Sequence, residues 1–252
     1  MSAASPAPPR PASTIVLMRD GAAGLEVFMV VRHREIDFAA GALVFPGGRL
    51  DPCDAELAAA LAAEGNHDPL LAFKIAAIRE AYEECGALIA RERRGGEIVA
   101  AERLGALDRA KPFAELMARE SLAPATEALV SFARWITPAF LPKRFDTHFF
   151  LALTPPGQTL AHDRREAVDS IWISPREALV ERGKKFKILF PTERNLWKLA
   201  RFDGAASAIA AALAAPPVTV QPERIEIDGG PGLRIPAEAD YGGEAFSVRG
   251  LL

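Results

Sequence analysis

The 252-residue chain is long enough for one large domain with appendages, and with half its residues hydrophobic and a quarter charged it reads as a soluble globular protein. A formal net charge of −3 excludes a general polyanion-binding surface while leaving room for a local basic patch. Cys53 and Cys85 are the only cysteines, which excludes a disulfide framework and a cysteine-based metal site and fits a reduced, cytoplasmic compartment. No apolar run approaches the ~18 residues needed to span a bilayer.

Residues 1–13 are rich in Pro and Ala and lack the apolar centre of a signal peptide, so they read as a disordered leader. Residues 14–19 and 25–31 read as two strands joined by a Gly-rich turn, an opening hairpin. Arg32, His33 and Arg34 then set three cationic groups at a strand end, either as a solvated terminus or as contacts to a phosphate. Residues 41–48 form a short apolar strand ending in glycines free to adopt positive φ. Asp51 and Pro52 suit the cap and first position of a helix, which makes Asp54 a first-turn residue rather than a metal ligand. That Ala-rich helix breaks at residues 65–69, where His67 reads as exposed, and a second helix runs from about residue 69 to Cys85 and stops at Gly86.

At about 100° per residue, Leu71, Ile75, Ile78, Tyr82 and Cys85 fall on one apolar stripe of this second helix, while Glu80, Glu83 and Glu84 fall on the opposite face. Like charges at such spacings cost a helix roughly 0.2–0.5 kcal/mol per pair. Arg79, one turn before Glu83, offsets part of this, and a hard divalent cation suits a cluster of carboxylate oxygens better still. Mg²⁺ fits because it keeps waters and bridges to phosphates.

Residues 88–90 begin another strand, and residues 91–127 read as a helical insertion. The β-branched and aromatic content of residues 128–137 and 145–153 predicts two strands, with His148 packed inside the second. Lys143 and Arg144 lie on the loop between them, and Arg144 suits either a phosphate or an ion pair with Asp146. A charged loop over 162–169 leads into a strand over 170–174, Ser174 and Pro175 open a helix, and further helices follow Phe190 and Ala205. Residues 218–220 and 224–227 suggest a terminal pair of strands.

The stretch from Gly48 to Ala87 resembles the Nudix box, Gly-x5-Glu-x7-Arg-Glu-U-x-Glu-Glu-x-Gly-U, where U is a bulky apolar residue. Arg79, Glu80, Glu83, Glu84 and Gly86 match its second half, with Ala81 and Ala87 at the U positions. The first acid falls on Asp54, and the Arg follows Gly48 by 31 residues instead of 14, so the box carries 17 extra residues. This interruption, the approach Val44-Phe45-Pro46-Gly47-Gly48 and the segments 135–138 and 143–150 resemble the Nudix branch that includes coenzyme A diphosphatases.

The resemblance implies an α+β fold, the Nudix α/β/α sandwich with a mixed sheet, as a single domain over 14–252 with insertions at about 55–68 and 91–127. It implies hydrolysis of a pyrophosphate bond in a nucleoside diphosphate linked to another moiety, with Mg²⁺ or Mn²⁺ as cofactor. Glu80, Glu83 and Glu84 would share the metal and base roles, Arg79 would hold them by ion pairs, and the Gly48 carbonyl would turn to the metal. Glu166, ahead of Asp169, is the candidate for an extra carboxylate unless its loop is merely solvated. Arg32, Arg34, Lys143 and Arg144 are the candidate substrate contacts. The implied partner is a small nucleotide, with coenzyme A or its acyl esters foremost, no extended nucleic-acid track, no membrane, and a homodimer as the family often forms. Other dinucleotides, nucleotide sugars, capped RNA or a non-catalytic nucleotide sensor are the alternatives.

Overall fold

The computed structural model describes residues 7–33, 41–93, 95–105, 107, 111–163 and 167–248. In chain order the strands are β1 (Arg10–Gly21), β2 (Gly24–Arg32), β3 (Leu43–Val44), β4 (Gly47–Arg49), β5 (Ala90–Glu92), β6 (Leu122–Pro124), β7 (Val130–Ile136), β8 (Phe145–Leu153), β9 (Ala167–Ile173), β10 (Thr219–Val220), β11 (Glu223–Ile227), β12 (Gly230–Arg234) and β13 (Ala245–Ser247). The helices are α1 (Pro52–Ala63), α2 (Leu71–Cys85), α3 (Ala101–Leu104), α4 (Phe113–Arg119), α5 (Pro175–Val180), α6 (Phe190–Leu199) and α7 (Ala205–Ala214).

The main sheet is mixed, running β10-β7-β8-β1-β2-β3 with β4 also on β1 and β9 also on β2. Its centre is the parallel pair β1 and β8, in register from Arg10 and Phe145 to Met18 and Leu153. Successive residues of the central strands are buried on opposite faces. Ile15, Leu17, Phe28, Val30, Phe150 and Ala152 pack with Ile75, Ile78 and Tyr82 of α2 on one side. Val16, Met18, Val27, Met29, Phe149 and Leu151 pack with Phe190, Leu196 and Leu199 of α6 and with Ala205 and Ala208 of α7 on the other. Two cores separated by one sheet make the three-layer α/β/α sandwich expected from the sequence.

The opening hairpin positions everything that follows. β1 and β2 pair only from Met18 and Val27 to their turn. Beyond that point they splay, and the chain from β3 to β4 enters the gap. β3 pairs with β2 at Val30 and Val31, whereas β4 pairs with Ala12, Ser13 and Thr14 of β1. Pro46, which has no N–H of its own to satisfy, accepts Ile15 N through its carbonyl at 2.9 Å. The single strand expected over 41–48 is therefore two, bent about Phe45 and Pro46.

Three other expectations change. β1 begins at Arg10, inside the expected leader, because Ser13 is fully buried with its hydroxyl donating to Phe73 O at 2.7 Å, and Arg10 N donates to Arg144 O. The 91–127 insertion carries two short helices, α3 and α4, but its ends close as a small antiparallel sheet, β5 on β6. The two terminal segments do not pair with each other: β10 extends the main sheet beside β7, and β11 joins a separate sheet with β12 and β13. Gly86 ends α2 at φ 77°, in the left-handed region that glycine tolerates without penalty.

His148 is buried in the sheet beneath Phe73, with ring centroids 4.2 Å apart, so it is a packed histidine as expected. Burial lowers its pKa, the neighbouring Arg134 adds to the effect, and Asp146 opposes it. A folded-state pKa below the unfolded value means that the unfolded chain takes up the extra proton as pH falls below about 6.5. Stability from this group is therefore intact above that pH and lost below it, at no more than about 1.4 kcal/mol per pH unit. Thermal melts between pH 7.5 and 5.5 are expected to show a smaller fall for His148→Phe than for the native chain.

Candidate active site

Arg79 is the centre of the site. It lies on α2, one helical turn before Glu83, and its side chain is only 8 % accessible. A buried guanidinium has five N–H donors to satisfy, and here each has an acceptor. Nε donates to Asp54 Oδ1 and Nη2 to Asp54 Oδ2, both at 2.9 Å, a bidentate pair. Nη1 donates to Glu80 Oε1 at 2.8 Å and to Glu83 Oε2 at 2.9 Å, and Nη2 also reaches Arg49 O at 2.9 Å.

Asp54 is fully buried and has two functions. At the third position of α1 it closes a capping box, its Oδ2 accepting Asp51 N at 2.8 Å while Asp51 Oδ1 accepts Cys53 N at 3.0 Å. The first-turn reading holds, but the same carboxylate also anchors Arg79, a role the helix-start reading missed. The signal was its place six residues after Gly48, where the box motif wants an acid. Burial and hydrogen bonding to Asp51 push the thiol of neighbouring Cys53 up to about 12, which disfavours its thiolate.

The three glutamates differ in setting. Glu84 is buried, and its Oε2 accepts Gly47 N at 3.0 Å, tying the helix to the Gly-Gly turn. Glu80 lies against Gly48, where a Cβ would stand 2.6 Å from Glu80 Cδ and displace that carboxylate. Glu83 is the accessible one, its side chain 45 % exposed. Partial burial raises its pKa above the ordinary carboxylate value, against the opposing pull of Arg79. Among the described residues no three acidic, histidine or cysteine side chains gather as a metal cage. The glutamates are drawn instead to the guanidinium and to the Gly47 amide. Their hard carboxylate oxygens are the donor type that suits a divalent ion such as Mg²⁺ or Mn²⁺.

A cavity of about 600 Å³ lies on the α6 side of the sheet, with Gly47 among its lining residues. The rings of Phe45, Trp135, Phe140, Phe145, Phe149 and Phe190 are among its lining. Of the expected substrate contacts, Arg32 lines this cavity. Lys143 is exposed on its loop and is not among the lining residues. Arg144 is a correction: it is buried, with Nε donating to Thr137 O at 3.1 Å and Nη1 to Ala7 O at 2.7 Å, so it braces backbone instead of facing a ligand. Nor does it pair with Asp146, whose two oxygens accept Arg134 Nε and Nη2 at 2.9 and 2.6 Å. Lys187, absent from the sequence-based set, lines the cavity because its backbone bridges to Ala42. Arg34 and Glu166 lie outside the described residues, and Asp169 is exposed on β9 with its Oδ1 accepting Ser170 N.

A glutamate-bearing helix, anchored by one arginine and packed behind a Gly-Gly turn in an α/β/α sandwich, defines a Nudix-type protein. The family model described as the NUDT19 Nudix domain matches residues 61–201, more than half of the chain, and the chain belongs to that family. It is 36 % identical over 125 residues to human acyl-coenzyme A diphosphatase NUDT19, covering 43 % of this chain and 33 % of that protein. The chicken protein of the same name is 29 % identical over 223 residues, covering 67 % and 58 %. Putative nudix hydrolase 7 of Caenorhabditis elegans is 28 % identical over 159 residues, covering 62 % and 48 %. The matched stretches thus span about a third to three fifths of these relatives. Among solved structures, a Nudix hydrolase from Alicyclobacillus acidocaldarius superposes with a TM-score of 0.67 at 29 % identity, over 82 % of this chain and 97 % of that one.

Removing Arg79 leaves the buried Asp54 carboxylate without its cation, a change that costs about 3–5 kcal/mol in comparable buried pairs. Arg79→Ala is expected to lower Tm by roughly 6–20 °C at this chain length. Asp54→Ala combined with Arg79→Ala should cost less than the sum of the two single changes. Additive losses in a denaturant double-mutant cycle would show that the pair is not coupled.

Proposed function

We propose that the chain hydrolyses the pyrophosphate bond of a nucleoside diphosphate linked to another moiety, with coenzyme A and its acyl esters as the substrates. The observation that carries this reading is the junction at Gly47: one hydrogen bond links the carboxylate cluster on α2 to the wall of a cavity large enough for a small-molecule substrate. The likeness to proteins named acyl-coenzyme A diphosphatase supports the choice of substrate.

In this reading Glu80, Glu83, Glu84 and the Gly48 carbonyl hold Mg²⁺ or Mn²⁺, which when bound polarises the phosphoryl group and acidifies a water. One of the three, left off the ion, would take that proton, and Glu83 is the candidate because it is the most accessible, its side chain 45 % exposed. Arg79 positions Glu80 and Glu83 without touching substrate. Water is consumed, the phosphoanhydride breaks, and coenzyme A yields 3′,5′-ADP and 4′-phosphopantetheine. Arg32, with Arg34 and Lys143, is proposed to meet the phosphates.

Glu83→Gln and Glu84→Gln are expected to lower kcat by at least about 100-fold while leaving the fold intact, since each removes a charge from a repelling cluster and keeps a similar shape. Near-native turnover of either variant at saturating Mg²⁺ would remove the metal and base assignment. Mg²⁺ should also raise Tm of the native chain and do so less for both variants. Substrate choice is read from kcat/KM for coenzyme A, dephospho-coenzyme A, ADP-ribose and NADH. Coenzyme A should lead, with dephospho-coenzyme A weaker for want of its 3′-phosphate. A preference for ADP-ribose or NADH overturns the coenzyme A choice and leaves the diphosphatase reading in place.

A further inference from the structure

We infer that Ser13 is a positioning residue for the metal site: its buried hydroxyl fixes where α2 lies across the sheet, and through that the distance of the carboxylates from the Gly-Gly turn. This rests on the metal reading above.

Ser13 breaks the pattern of its strand. The α2-facing positions of β1 continue as Ile15 and Leu17, both in the apolar core, and an aliphatic side chain would be the ordinary occupant ahead of them. A hydroxyl stands there instead, fully buried, and a buried hydroxyl without a partner is costly. Its partner is the Phe73 carbonyl of α2, at 2.7 Å.

The strand registers give this bond its significance. Ser13 pairs with His148 of β8 on one side and with Gly48 of β4 on the other, so the three residues form one row across the sheet. Phe73 rests on His148, with ring centroids 4.2 Å apart, and accepts the Ser13 hydroxyl; further along the helix Glu80 lies against Gly48. Seven residues of helix rise about 10 Å, and two strand spacings span about the same distance. α2 therefore crosses the strands in phase with the row at both ends.

Apolar packing does not hold that phase. The contacts of Ile75, Ile78 and Tyr82 with the sheet are non-directional, whereas a hydrogen bond is short and directional. Gly47 N to Glu84 and Arg79 to Arg49 O also cross between sheet and helix, but they are made by the carboxylate cluster and its guanidinium. The Ser13 bond uses neither, so its geometry is independent of where those carboxylates turn. A site of this kind has to be held to about 0.5 Å, and a slip of α2 along the row moves Glu80, Glu83 and Glu84 together relative to Gly48.

The test reads Mg²⁺ affinity without turnover, as Tm over a Mg²⁺ series for the native chain, Ser13→Ala, Ser13→Cys and Phe73→Leu. Ser13→Ala removes one oxygen and leaves Phe73 O its place in the helix, so the fold should stand. The Mg²⁺ concentration giving half the maximal Tm shift should rise about tenfold, the low end of what losing a positioning group around a metal costs. Activation of coenzyme A hydrolysis by Mg²⁺ should move by the same factor. Phe73→Leu takes the ring from His148 but keeps the hydrogen bond, so it should lower the metal-free Tm and leave the Mg²⁺ value native. A Ser13→Ala chain with a lowered Tm and a native Mg²⁺ value overturns the inference, since the hydroxyl would then only stabilise the fold. Phe73→Leu matching Ser13→Ala in its Mg²⁺ value overturns it too, because any loosening of the helix would then suffice. If Ser13→Ala does not fold, Ser13→Cys decides, since it keeps the volume with a weaker donor: a several-fold rise in the Mg²⁺ value is expected, and an unchanged one overturns the inference. Each of these overturning results leaves the metal reading standing; a native chain whose Tm and turnover ignore Mg²⁺ removes that reading and the inference with it.

Discussion

The structure depends on a buried guanidinium that must be satisfied on all sides. Arg79 is withdrawn from water, and an unpaired donor there would cost as much as a lost hydrogen bond or more. Its acceptors come from three places in the chain: Asp54 on α1, Arg49 O beside the Gly-Gly turn, and Glu80 and Glu83 on α2 itself. One side chain therefore fixes the relative placement of turn, first helix and second helix. It also eases the strain of three carboxylates within five positions on one helix face, because two accept hydrogen bonds from Arg79 and the third is held by a backbone amide.

The same hub explains how the motif survives 17 extra residues. The interval from Gly48 to Asp54 is unchanged, so the turn and the acid keep their local geometry, and all of the added length falls between Asp54 and Arg79. That length is folded into α1 and a return loop, and Leu57, Ala58 and Leu61 pack against the core around α2. An insertion at this point is stable because it brings its own apolar contacts and because the pair it separates in sequence is rejoined by a bidentate bond. Deleting it as though it were a loose loop would remove the helix whose first turn presents Asp54.

What the sequence made legible follows from range. α2, its apolar stripe, its acidic face and its glycine stop are all encoded within one helix, so periodicity finds them. The hairpin and β8 are equally local signals. The start of β1 was invisible because Arg10, Pro11, Ala12 and Ser13 have little strand propensity; they are extended because β8, far along the chain, supplies a parallel partner. Arg144 was misread for a related reason. Its sequence neighbour Asp146 looked like the natural partner, but Asp146 pairs with Arg134 across the strands, leaving Arg144 to the carbonyls of its own loop and the N-terminal segment. Lys187 carried no sequence signal, since it reaches the cavity through a backbone bridge to Ala42.

The division of labour in the fold has a physical origin in the splayed hairpin. Had β1 and β2 remained paired along their full length, the sheet would have been closed and its two faces would have been independent. Because they part beyond Met18 and Val27, the Phe45-Pro46-Gly47-Gly48 bend passes through the sheet's plane and is shared by both sides. Gly47 gives its amide to Glu84 on the α2 side and a surface to the aromatic cavity on the α6 side. A residue with a Cβ cannot serve there, since φ is 157° and the added atom would stand 2.7 Å from Thr14 Cα. The backbone at one glycine therefore joins charge and apolar surface that a continuous sheet would have kept apart.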